Sequence, residues 1–115
     1  TIVSSGLQLV SDIIANRIDT SSTNVYVAQA SDGDNWESDD SVSAELIESI
    51  LHQVQYFAYI QTETPERVAY KQKWNRKDLL NMYTDIAERH ENLQARRILE
   101  PNEVYATLRS LFEGV

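Results

Sequence analysis

The chain is predicted to fold as α/β, a three-layer arrangement in which a parallel sheet carries helices on both faces. Helical and strand patterns alternate along it, and that alternation is built by right-handed crossovers into a parallel sheet. The run Val54–Ile60, VQYFAYI, is apolar and aromatic on both faces, as a central strand covered from both sides must be. A length of 115 residues fits one domain, so residues 1–115 are read as a single unit.

Ile2–Ile18 places Val3, Leu7, Val10, Ile14 and Ile18 on the stripe of an amphipathic helix. The polar stretch from Asp19 to Asn24 ends it, and Val25–Ala30 reads as a buried strand. An acidic loop, Asp32–Asp40, follows. Asp40 or Ser41 then caps a helix over about Val42–His52 that buries Leu46, Ile47, Ile50 and Leu51. After the central strand, Glu66–Trp74 reads as a short helix or irregular segment packing Val68, Tyr70 and Trp74. Leu79–Leu93 is a stronger helix, with Leu79, Tyr83, Ile86 and His90 on one stripe. Arg96 and Arg97 put Gln94–Leu99 at a sheet edge, where charge is tolerated and unwanted pairing is blocked. Pro101 suits the first turn of a closing helix that buries Val104, Leu108, Leu111 and Phe112, with Gly114 at its end.

Composition narrows the function. An apolar fraction of 42% with 24% charged residues describes a soluble globular chain. No apolar run approaches the roughly 18 residues of a membrane span, and cysteine is absent. A cytoplasmic location is expected. The net charge of −8 is concentrated in residues 1–60, with nine acids against Arg17 alone, while the second half balances nine acids with nine bases. Such a surface excludes nucleic acid as the expected partner, because phosphate binding needs a basic face. No P-loop, dinucleotide glycine fingerprint, His-Glu-x-x-His or nucleophile elbow occurs. His52 and His90 read as surface or packed histidines.

The segment Asn24–Trp36, NVYVAQASDGDNW, carries the strongest chemical signal. A short strand runs into Ser31-Asp32-Gly33, and ligands of parallel sheets gather at the carboxyl ends of strands. Asp before Gly is also a common turn pair, but between a strand and a helix it reads here as a hard-cation ligand. Asp34, Glu37, Asp39 and Asp40 do not fit the calcium-loop template, since Trp36 and Glu37 occupy its fifth and sixth positions. They read as solvated, with Asp39 or Asp40 helping to cap a helix. Asp34 and Trp36, beside the cation ligand, are assigned to contact a partner, although Trp36 equally suits a loop anchor.

Three segments together, TIVSSGL at residues 1–7, AQASDGDNW at 28–36 with its ASDGDNW core, and VQYFAYI at 54–60, resemble the YeaH/YhbH family. These are bacterial proteins with a domain similar to von Willebrand factor type A. The resemblance implies the C-terminal half of that Rossmann-like domain, with the N-terminal strands missing and the three strands here its fourth, fifth and sixth. It implies a metal-ion-dependent adhesion site in which Thr1 and Asp32 match the motif Thr and the late motif Asp. The Asp-x-Ser-x-Ser element has no match. The implied cofactor is Mg²⁺ in the full-length protein, weak or absent in this chain, with affinity no better than about millimolar from so few ligands.

The implied function is non-enzymatic protein binding in a bacterial stress or sporulation-linked assembly. A PrkA-type serine kinase or a SpoVR-like protein is the implied partner. The alternative is a metal-dependent hydrolase or phosphotransfer domain using Asp32. In the strand order 3-2-1-4-5-6, the strand Val25–Ala30 would pair with an absent first strand, so its outer edge is expected to be bare and the fragment to form a homodimer through it.

Overall fold

The computed structural model describes residues 3–35, 37–75 and 77–113. Its elements are α1 (Val3–Arg17), β1 (Tyr26–Ser31), α2 (Asp40–Leu51), β2 (Tyr56–Thr62), α3 (Pro65–Lys73), α4 (Leu79–Ala87), β3 (Leu93–Ile98) and α5 (Val104–Phe112). Short 3₁₀ turns at Glu37–Asp39 and Pro101–Glu103 lead into α2 and α5. The sheet is parallel throughout, in the order β1-β2-β3.

β2 is the centre of the molecule, and its first six residues are all buried. Phe57 and Tyr59 point to one face and join Leu7 and Ile14 of α1, Ile47 and Ile50 of α2, and Leu79, Tyr83 and Ile86 of α4. Tyr59 stacks on Tyr83 with ring centroids 3.8 Å apart. Tyr56, Ala58 and Ile60 point to the other face, where Ile98 and the Leu111 and Phe112 of α5 cover them. Tyr56 meets Phe112 edge to face at 5.3 Å. Three helices therefore cover one face and α5 the other.

Several expectations need correction. β1 is not a buried strand: its burial alternates, with Val27 and Gln29 half-buried and Tyr26, Ala28 and Ala30 exposed. The register pairs Tyr26, Ala28 and Ala30 with Tyr56, Ala58 and Ile60, so they lie on the α5 face, and α5 reaches only β2 and β3. Among the described residues β1 pairs with β2 alone, so its outer side carries no strand.

α4 ends at Ala87 rather than Leu93. Asn92 stops it: its side-chain amide donates to the carbonyls of Leu51 and Val54, and its own carbonyl accepts from Phe57 at 2.8 Å. That pins the turn to the start of β2 and makes Leu93 the first, fully buried residue of β3. His90 consequently lies outside the helix.

Val104, expected in the buried stripe of α5, is the first residue of that helix and is 39% exposed. α2 begins at Asp40, and its N-cap Asp39 makes no side-chain capping bond to a backbone N–H of that helix. α3 is a regular helix that buries no residue, and Tyr70 and Trp74 are exposed rather than packed.

Candidate functional site

The carboxyl ends of β1 and β2 form a polar rim, built by four segments that the topology brings together. From the end of β2 and the position just past it come Gln61 and Glu63, both buried on either side of exposed Thr62. Their alternation puts them on the α4 side of the sheet. Gln61 accepts a hydrogen bond from the Tyr59 hydroxyl at 2.8 Å and donates to Asp78 Oδ2 at 2.9 Å. A buried amide with both ends satisfied costs little, whereas one left unpaired would be expensive.

Asp78 is the hinge of this network. Its Oδ1 accepts from the Asn81 backbone while Asn81 returns a bond to the Asp78 N–H, the capping box that starts α4. Its Oδ2 faces inward to Gln61 and to Lys71 Nζ, which donates at 2.8 Å. Lys71 also donates to Glu63, and Arg97 Nε reaches the other Glu63 oxygen at 2.8 Å. Two buried carboxylates are thus held by two cations from α3 and β3. Arg97, read as a guard of the sheet edge, has this second duty.

Burial by itself disfavours both charges. For Asp78, the bonds from Lys71 and Gln61 outweigh it and hold the carboxyl below its usual range. For Lys71, the bonds to Asp78 and Glu63 outweigh it and hold the ammonium above the ordinary lysine range. Burial pushes the hydroxyls of Tyr59 and Tyr83 well above the usual phenol range, so both stay neutral donors. Tyr83 donates to Gln29 of β1, which ties the neighbouring strand into the same polar layer.

The loop after β1 closes the rim. Ser31 Oγ accepts from the Gly33 N–H, and Asp32 Oδ1 accepts from the Asp34 N–H, two side-chain turns in succession. Gly33 has φ +90°, and a Cβ there would stand 2.5 Å from the Gln61 side chain, so only glycine fits on both counts. Its carbonyl accepts from the Leu79 N–H, joining the loop to α4. Further along, Asn35 accepts from the Val3 N–H at 3.1 Å, and Asp39 accepts from the backbone and hydroxyl of Ser4 at 2.9 and 2.6 Å. Burial works against the Asp39 charge, but the bonds from Ser4, Ser43 and Asn35 hold its carboxyl below the usual range. Asp39 therefore caps α1, not α2.

The residues named from sequence divide as follows. Asp32 is exposed at the carboxyl end of β1, where its charge opposes ionisation of Tyr59. Asp34 forms an exposed ion pair with Arg67 of α3 at 2.7 Å. Thr1 and Trp36 lie outside the described residues. The first described turn of α1 is nonetheless tied to the Asn35–Asp39 part of the loop that carries Asp32. Among the described residues no three acids or histidines stand together as a metal group. A cleft of about 1010 Å³ opens between this loop and α3, lined by Asp34, Asp40, Glu66, Arg67, Lys71 and Asp78 among others.

Gln61, Glu63, Lys71 and Asp78 were missed from sequence, and Asp39 was read only as a helix cap. Two signals were there to read. Polar Gln61 and Glu63 end a wholly apolar strand at its carboxyl rim, and Asp78 precedes a helical run with Asn81 three residues on.

A match to the family described as "Protein of unknown function (DUF444)" covers residues 1–114, and the chain belongs to that family. It is 38% identical over 113 residues to a UPF0229 protein of Yersinia enterocolitica, covering 97% of this chain and 24% of the relative. It is 37% identical over 113 residues to UPF0229 proteins of Serratia proteamaculans and Yersinia pestis, again covering 97% of this chain and 25% and 24% of theirs. The chain thus spans about a quarter of the length of these curated relatives. No solved structure matches it. No helix among the described residues is long and apolar enough to cross a membrane.

Replacing Lys71 with Met leaves Asp78 and Glu63 buried without their shared cation. It should cost about 3–5 kcal/mol in urea denaturation at neutral pH. The Asp78 contribution is complete above the unfolded carboxylate range, near pH 4, and is lost as pH falls through its lowered folded value. The Lys71 contribution is complete below about pH 10 and is lost as pH rises through its raised folded value. The gap between wild type and Lys71→Met should therefore be widest between those limits and shrink in acid. Gly33→Ala should cost about 2 kcal/mol or more by the same assay, since it adds both strain and overlap with Gln61.

Proposed function

From membership of the DUF444 family and from a polar cleft at the carboxyl rim of a parallel sheet, we propose that this chain is the C-terminal part of a von Willebrand factor A-like domain. In that reading the full-length protein binds a protein partner through a divalent cation, with Asp32 as one ligand and Thr1 as a second. One observation carries it: the start of α1 is tied by Val3 and Ser4 to the loop that presents Asp32. The loop that carries Asp32 is thereby held against the first described turn of α1, although more than 30 positions separate Val3 from Asn35 in the chain. Hydroxyl and carboxylate oxygens are the ligands magnesium takes, with waters completing its octahedron.

The strand order supports the same reading. α1 packs on α2 and α2 on α4, all on one face, as successive crossovers in one direction require. The outer side and uncovered face of β1 are where further strands and helices of such a domain would pack. The alternative, a metal-dependent hydrolase or phosphotransfer domain, needs a second reacting group beside Asp32. Among the described residues the hydrogen bonding of Asp32 stays within its own loop.

The test uses full-length protein against a PrkA-type serine kinase and a SpoVR-like protein, the partners the family resemblance implies. Capture in magnesium, lost on chelation and weakened about tenfold or more by Asp32→Ala, supports the reading. Phosphatase or phosphotransfer turnover that disappears in Asp32→Ala supports the alternative. Capture indifferent to both magnesium and Asp32 overturns the cation site.

The 115-residue chain on its own is proposed to pair with a second copy through β1. That strand carries no charge and no proline, and Tyr26 is 46% exposed on its open face. Sedimentation should show a concentration-dependent dimer, shifted to monomer by Ala28→Lys. A monomer at all concentrations overturns this.

A further inference from the structure

α3 is a helix that the fold does not explain. It contributes no buried side chain, and polar contacts hold it: Thr64 caps it, Arg67 pairs with Asp34, and Lys71 is clamped between Glu63 and Asp78. Its aromatic residues serve no core. Tyr70 and Trp74, one turn apart, are 53% and 61% exposed, with ring centroids 6.5 Å apart. The Lys73 ammonium lies 5.5 Å from the centre of the Trp74 ring. Exposed aromatics next to cations are what anchor residues of protein interfaces look like before the partner arrives.

The charge around them is just as unusual. Residues 67–77, RVAYKQKWNRK, contain five of the chain's ten bases and no acid, within a chain of net charge −8. Arg67 and Lys71 are neutralised by the rim, while Lys73 and Lys77 are exposed. We infer that the end of α3 and the segment after it, through Tyr70, Lys73, Trp74 and Lys77, form a docking surface for an acidic peptide segment of a protein partner. The segment would set carboxylates on the two lysines and an apolar side chain on the aromatic pair.

Charge complementarity favours that occupant over a nucleic acid. A phosphate chain carries charge at every step, and the adjoining cleft presents Asp34, Asp40, Glu66 and Asp78 to it. Tyr70 and Lys77 line that cleft too, so a peptide that confines its acids to the two lysines and turns uncharged residues toward the cleft fits where a phosphate chain does not. The surface shares a cleft with Gly33 and Asp34 but does not use Asp32, and binding to it needs no metal.

The experiment measures fluorescence polarisation of a short labelled peptide of Asp, Glu and Leu on full-length protein, in chelator. A Lys/Leu peptide, single-stranded oligouridylate and phosphatidylserine vesicles are run beside it. The acidic peptide should bind, weaken with added salt, and lose about tenfold or more in Trp74→Ala and in the double reversal Lys73→Glu/Lys77→Glu. Both variants alter exposed side chains, and circular dichroism checks that each remains folded. Failure of the acidic peptide to bind overturns the inference. So does binding unchanged in both variants, or tighter binding of the oligouridylate or the vesicles.

Discussion

Complete burial of β2 is the constraint from which the rest of the structure follows. A strand whose two faces are both apolar cannot meet water on either side, so it needs a helical layer above and below and a strand along each edge. α1, α2 and α4 supply one layer, α5 the other, and β1 and β3 supply the edges. The same burial creates the polar problem that the rim solves. Where β2 ends, Gln61 and Glu63 are still inside, and each buried polar atom must find a partner. Tyr59, Asp78, Lys71 and Arg97 are those partners, and among the described residues no buried side-chain nitrogen or oxygen is left without one.

The two edges of the sheet are treated differently. β3 carries Arg96 and Arg97, and a charged strand resists pairing with another chain. β1, YVAQAS, has no such protection and shows alternating exposure. The contrast belongs to the sequence itself: one outer strand is charged and the other is not.

Much of this fold could be read directly from the residues. The three strands, the order of helices and strands, and the centrality of VQYFAYI follow from apolar patterning, which is the physical determinant of burial. Boundaries were harder. Asn92 ends α4 through bonds to Leu51 and Val54, residues some forty positions away, and no local pattern can announce that. α3 has helical propensity and a good cap but no apolar stripe, so periodicity could not distinguish a helix from an irregular segment. The rim was legible only in part. Asp32 stands out because Asp-Gly after a strand is a local signal, whereas Lys71 and Asp78 meet only through the crossover between β2 and β3. Asp39 illustrates the same limit: adjacent to α2, it looks like that helix's cap, yet its carboxylate serves α1, 35 residues earlier.

The rim draws on Ser4, Gly33, Asp39, Glu63, Lys71, Asp78 and Arg97, so no single hairpin or crossover contains it. Loop-closure entropy must be met several times over before any of its hydrogen bonds can form. The site therefore exists only where the whole tertiary structure does. Loosening any one of α1, α3, α4 or β3 would therefore take apart the polar rim as a whole, even where the other elements keep their secondary structure.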